Sequence, residues 1–383
     1  MKPIYLDHNA TTPVDPDVLR AMLPFLRDEF GNPSSAYALG RRVRIAVENA
    51  RGEVAALIGA SPDEIIFTSG GTEASNIAIR GAAKSNGKRR AIVTTTIEHP
   101  ATEACCALLE RERHSIRRVS PQSNGRMDPQ HVAEAIDGKT ALVTIIHAQN
   151  EIGTIQPMAE IAHLAKARGA LVHTDAAQSV GKVPLDVNEL EVDLLSIAGH
   201  KLYAPKGIGA LYVRRGVKLP SLLVGAGQEA GRRPGTENVA GIVALGEACR
   251  LAGIALETGS DHMAALSAEL LSRLQAEVQG LLLVGHDAER LPNTINVLFP
   301  HVSGRLLLEG CPRVLASTGS ACHADREDPS AILLALGIPR DVALGAVRLS
   351  LGRKTTREDV EAAASSLASA WRLAARPPAA HVA

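Results

Sequence analysis

Short apolar runs with no polar face recur between helical patterns, and this alternation restricts most what the chain can fold into. The runs occupy residues 64–68, 90–94, 141–146, 170–173 and 194–197, each four to six residues long. Strands apolar on both faces and spaced by helices pack as a mostly parallel sheet covered on each side, so the expected class is α/β. Between them, Val43, Val47, Ala50, Val54 and Leu57 fall at helical spacing within 41–58, and residues 155–167 repeat the pattern after Gln156-Pro157. Past Gly235-Thr236-Glu237-Asn238 the alternation stops. A helix is expected over 239–257, a second one carries Met263, Leu266, Leu270, Leu274 and Val278 on one face, and 294–298 reads as a strand. A domain boundary is expected near residue 255, and the tail 376–380 reads as frayed.

Length and composition bound the function. A chain of 383 residues has room for one large and one smaller domain, and its 41 basic residues balance 41 acidic ones. That balance, with nine aromatic residues in all, argues against a nucleic-acid binder; the basic clusters 41–44 and 111–118 read as solvated helix faces. No unbroken apolar run approaches a membrane span, and Asp7 interrupts the place where a signal peptide would be apolar, so a cytoplasmic protein is expected. The five cysteines, Cys105, Cys106, Cys249, Cys311 and Cys322, contain no C-x-x-C pair and are odd in number. A single reactive thiol fits better than a disulfide framework or a zinc site, and the scattered histidines suggest no metal centre.

In an α/β sheet ligands collect where strands end, so polar residues after the apolar runs carry the chemistry. Thr68-Ser69-Gly70-Gly71-Thr72-Glu73 offers glycines, a hydroxyl and a helix N-terminus to an anion such as phosphate, although a plain capped turn would use the same residues. Asp175, in His173-Thr174-Asp175-Ala176-Ala177-Gln178, could hold a protonated heteroaromatic nitrogen with Gln178 at a ring substituent, or could cap the next helix. Lys201 follows a buried-looking strand amid small residues, where desolvation lowers an amine's pKa and suits it to Schiff-base chemistry; Lys206, in a Pro-Lys-Gly turn, reads as solvated. His99 is a strand-end ring that would stack on a cofactor or serve as a core or capping histidine. In chain order, an anion cradle, a strand-end Asp and a strand-end Lys make the set a pyridoxal-phosphate enzyme uses.

The segments 5–13 and 31–35, the Thr-Ser-Gly-Gly-Thr-Glu run, Glu98-His99, Asn150-Glu151-Ile152-Gly153, 173–178, Gly199-His200-Lys201, 233–238 and Gly319-Ser320-Ala321-Cys322 together resemble the cysteine desulfurases of the class V aminotransferase superfamily, over nearly the whole chain. The resemblance implies a fold type I pyridoxal-phosphate transferase. It would have a large domain, 15–255, on a mostly parallel seven-stranded sheet, and a small α/β C-terminal domain, 256–383 with 1–14, carrying a cysteine loop. It further implies that Lys201 binds the cofactor covalently, that His99 stacks on the ring and assists proton transfer, and that Asp175 pairs with the ring nitrogen while Asn150 and Gln178 lie near the ring oxygen. Gly71, Thr72 and His200 would hold the phosphate together with Thr236 from the other subunit of a homodimer. Arg348, aided by Asn150, would clamp the substrate carboxylate, and Cys322 would accept sulfur.

Arg348 lies 26 positions after Cys322, which resembles the group with an extended cysteine loop, and the polar, Gly-rich surroundings of Cys322 suit a reactive thiol. The expected reaction converts L-cysteine to L-alanine and a persulfide for a sulfur-acceptor protein, such as an iron–sulfur scaffold or a thiolation enzyme. His323 beside Cys322 resembles selenocysteine lyases, which keeps that activity as the alternative; a non-catalytic scaffold is opposed by the co-occurrence of Lys201, Asp175, His99 and Cys322. Three positions depart from the family pattern: Ala198 stands where many members have a phosphate-binding serine, Gln149 where a second Asn is common, and Tyr37 where His is frequent. These departures bear on the phosphate cup.

Overall fold

The computed structural model describes residues 2–85, 87, 89–319 and 328–375, with backbone alone for 258–261. Seven strands form the central sheet: β1 (Ile65–Thr68), β2 (Ala91–Thr95), β3 (Ser115–Val119), β4 (Thr140–Ile146), β5 (Leu171–Asp175), β6 (Leu194–Ala198) and β7 (Gly209–Val213). Their spatial order is β1-β7-β6-β5-β4-β2-β3. β7 is antiparallel to both neighbours, and the other six run the same way. All residues of β1, β2, β4, β6 and β7 are buried, as strands covered on both faces require. One face packs the helices Ala38–Leu57 and Met158–Lys166 into a core with Val47, Val54, Ile161 and Val172; the opposite face packs Gly71–Ser85 and Pro100–Arg111 around Ile77, Ile79, Leu109 and Leu142.

A second core lies around the three-stranded antiparallel sheet of Leu282–Leu283, Thr294–Leu298 and Ala346–Ser350. It holds Leu266, Leu270, Leu274, Val297, Leu349 and Leu367, and also Ile4 and Leu6, whose segment Ile4–Tyr5 pairs in parallel with Val314–Leu315.

The structure corrects the sequence reading in three places. The two helices expected over 239–257 and beyond 263 are one continuous helix, Val239–Glu277, which passes through residue 255. A glycine inside a helix costs only about 1 kcal/mol, and packing on both flanks outweighs it. Ile242, Leu245, Ala248 and Ala252 from the first half of this helix share a core with Val18 of Pro16–Arg27 and Val47 and Val54 of Ala38–Leu57, and the last part joins the second core. By length and composition its first nineteen residues would cross a membrane, yet half of that stretch is buried in the protein. The basic stretch 111–118 is no helix face. Arg113 takes a left-handed φ of 66° after the helix Pro100–Arg111, and Arg117 and Arg118 belong to the edge strand β3, paired to Asp137 at 2.5 Å and Glu103 at 2.8 Å. Charges on an edge strand discourage pairing with another chain. Lastly, the helix expected from 155 begins only at Met158, after Pro157.

Candidate active site

The C-terminal ends of the parallel strands open on one pocket of about 350 Å³, lined by Gly71, Thr72, His99, Asn150, Asp175, Gln178, His200, Lys201 and Arg348. Nine of the sequence-predicted residues, drawn from six separate stretches of chain, therefore meet around one cavity. After β1 the chain turns at Gly70, φ 150°, into the first turn of the helix Gly71–Ser85, whose N–H groups face outward from its start. A Cβ at Gly71 would stand 3.2 Å from the Ala198 side chain, so glycine keeps this wall open.

After β6 a short turn, Gly199–Lys201, presents His200 and Lys201. Burial first, then the Arg348 charge, lowers the Lys201 amine to about 8, against the opposing pull of Asp7 and Asp175. Its Nζ donates to the Asn9 carbonyl and, at 2.7 Å, to the Ala10 carbonyl. His200 is pushed down to about 4 by burial and by Lys201, which leaves a neutral ring whose Nδ1 meets the Thr11 hydroxyl at 3.2 Å. Lys206 is exposed.

Asp175 ends β5 as a buried carboxylate. Burial raises its pKa, while the Ala177 N–H bonded to Oδ1 at 3.0 Å and the nearby His99 and Lys201 oppose that rise. No helix follows Asp175, so the capping alternative falls away. His99 does cap a helix: its Nδ1 accepts the Ala101 N–H at 3.1 Å while the ring lines the pocket. Burial lowers its pKa, so the neutral ring carries its proton on Nε2.

Arg348 enters from the small sheet. Its Nη2 donates to Asp7 Oδ1 at 2.6 Å and its Nη1 to the Asn150 carbonyl at 3.1 Å, and Nε is buried and has no partner among the described residues. A guanidinium held from behind through one N–H of each terminal nitrogen keeps a second N–H on each, which equips it to receive a carboxylate.

One predicted residue among those described is not at this pocket. Thr236 lines a separate cavity with Ser69, Gly207 and Arg233. Cys322 lies outside the described residues. The other four cysteines are buried, and burial raises the Cys105 thiol to about 11 and those of Cys106 and Cys249 to about 12, which makes them poor nucleophiles.

The structure adds groups that the sequence reading gave no role. Asn9 and Asp7 back Lys201 and Arg348. Glu98, wholly buried beside His99, bonds Thr95 at 2.7 Å and the Ile146 N–H at 3.0 Å, and burial raises it to about 8. Glu151 accepts from the Ser330 hydroxyl at 2.5 Å and crowds Gly319, so one carboxylate, raised by burial to about 7, touches both flanks of the segment that carries Cys322. Adjacency to His99 and Asn150 was the only sequence signal for this pair.

The family model for aminotransferase class-V matches residues 4–363, and the chain belongs to that family. A cysteine desulfurase of Nostoc sp. is 46% identical over 363 residues, spanning 94% of this chain and 91% of the relative. A solved NifS-like protein superposes with a TM-score of 0.90 at 35% identity, covering 97% of this chain and all of the other. A structure described as SspA in complex with cysteine gives 0.80 at 36% identity, with coverage of 91% and 98%. Within the class V family, the fold and the function are those of the cysteine desulfurases.

Proposed function

We propose that the chain binds pyridoxal phosphate in the strand-end pocket and removes sulfur from L-cysteine, leaving L-alanine and a persulfide on Cys322. The observation that carries this reading is the convergence of a desolvated Lys201, a buried Asp175 and an Arg348 with spare terminal N–H groups on one cavity. Residues 15–255 would form the cofactor domain, and 256–383 with 1–14 the small domain.

The donor set suits the cofactor. Gly71, Thr72 and His200 offer N–H, hydroxyl and imidazole groups to a phosphate, with Thr236 supplied by a second subunit because its own chain places it elsewhere. Ala198 takes no part in that cup, since a methyl group has no donor. A carboxylate pushed up by burial is relieved by a nearby cation, so Asp175 suits a protonated ring nitrogen. When bound, the cofactor supplies an electron sink for charge developing at the substrate Cα.

The protein does the rest. Arg348 fixes the substrate carboxylate through its fork. Lys201, at about 8, is in appreciable part a free amine near neutrality, able both to carry the cofactor and to take the Cα proton at Nζ. His99 keeps a neutral ring with its exchangeable proton on Nε2. The Cys322 thiolate attacks the substrate sulfur, the S–Cβ bond breaks with its electron pair passing to Cβ, a proton equivalent to the one the substrate thiol gives up goes to Cβ, and Lys201 Nζ returns to Cα the proton it took, which completes alanine. The persulfide then goes to an acceptor protein.

Borohydride treatment of the holoenzyme should fix the cofactor to Lys201, and Lys201→Ala should lose the cofactor's absorbance. Attachment at Lys206 instead would overturn the site.

A further inference from the structure

Lys182 is a fully buried lysine to which the reaction above assigns no part. Among the described residues its Nζ meets two acceptors, Asn9 Oδ1 at 3.0 Å and Gln178 Oε1 at 2.8 Å, and no carboxylate pairs with it. A buried amine without an acid is costly in free energy, and a methionine of similar shape would avoid the cost. What the amine does instead is fix two amides. Asn9 Oδ1 also receives Asn293 Nδ2 at 3.2 Å, so Asn9 Nδ2 is turned to the Asn150 carbonyl at 3.1 Å and the Thr294 hydroxyl at 2.8 Å. Gln178, held by its oxygen, gives its Nε2 to the Asn9 carbonyl at 3.0 Å. That same carbonyl, with its neighbour from Ala10, receives the Lys201 Nζ.

We propose that Lys182 is a positioning residue for Lys201: by holding Asn9 and Gln178 together it keeps the Asn9–Ala10 carbonyls against the Lys201 amine and so sets how readily that amine gives up its proton. The inference rests on Lys201 being the cofactor lysine. Carbonyl acceptors favour the charged ammonium, so a loosened Asn9 segment should lower the Lys201 pKa further. The groups facing Lys201 are Asp7, Asp175, Arg348, His99 and His200, and those facing Lys182 are Lys201, Arg348, Arg353 and His8. Removing a positive charge at Lys182 would move Lys201 upward, so the sign separates the two effects.

The test uses the full chain freed of cofactor, with the rate of Lys201 acylation followed against pH by peptide mass spectrometry. Wild type should titrate at about 8. Lys182→Met should titrate about one unit lower, a tenfold change in the free-amine ratio, with an unchanged or raised melting temperature. Lys182→Gln, which keeps a shorter donor, should fall between them and serves if the methionine variant folds poorly. A Lys201 midpoint that stays in place or rises in either variant overturns the proposal, whatever happens to stability. A wild type whose borohydride-fixed cofactor maps elsewhere would instead overturn the cofactor reading, while the Lys201 midpoints of the variants still decide whether Lys182 positions that amine.

Discussion

Arg348→Lys isolates the fork geometry from the charge. Arg348 is 5% exposed, so its contacts are hardly screened by solvent, and the guanidinium reaches Asp7 and Asn150 through one N–H of each terminal nitrogen while keeping a second on each. A lysine ammonium is a single point donor and cannot serve the Asp7 carboxylate and a substrate carboxylate with the same planar geometry. The expected loss is one hydrogen bond to a charged group, about 1.5–3 kcal/mol, which is about ten- to 150-fold in kcat/KM. Because the positive charge stays, the main charge lowering Lys201 stays too, and the cofactor absorbance and its pH dependence should not move. The assay is alanine formation from L-cysteine across substrate concentration, with the absorbance spectrum recorded on the same preparation. Near-native kcat/KM in Arg348→Lys would refute the carboxylate clamp, and a lost spectrum would show that Arg348 acts on the cofactor instead.

Three further outcomes follow from the same geometry. Cofactor reattachment to the cofactor-free protein should accelerate as pH rises through about 8 and level above it, whereas an ordinary lysine would keep accelerating toward 10.5; stopped-flow absorbance reads this. The Glu98 carboxyl is raised to about 8 by burial, so the fold is favoured while it is protonated and loses that advantage as pH rises from the ordinary carboxylate range through 8. The melting temperature of Glu98→Gln relative to wild type should therefore climb between about pH 5 and about pH 8, and a flat difference would place Glu98 as a carboxylate throughout. Thr236→Ala should weaken cofactor retention by about 1 kcal/mol, about fivefold in Kd, in a dimer seen by light scattering; an active monomer would remove the shared-site explanation.

The sheet was legible because β1, β2, β4, β5 and β6 are covered on both faces, which leaves unbroken apolar runs in the sequence. β3 was not, because an edge strand tolerates Arg117 and Arg118, and a basic run has no period of its own. Nor was the continuity of Val239–Glu277, which depends on tertiary packing along both halves of the helix. Lys201, Asp175 and His99 could be read because each stands just past an apolar run. Lys182, Glu98 and Glu151 could not, since a buried polar group is explained by its partners, and Lys182 lies 173 residues from Asn9. Gln178 and Lys182, four residues apart, show no pattern until both are seen bonded to the same amide region.

The measurement that tests the central claim most directly is a single turnover with L-cysteine and no acceptor, in which alanine and the mass of the Cys322 peptide are determined together. One alanine and one added sulfur atom on Cys322 per active site are expected. Cys322→Ser should bind cofactor and L-cysteine yet release no alanine. Alanine formed without sulfur on Cys322, or an enzyme inert toward L-cysteine and fast with L-selenocysteine, would contradict the account.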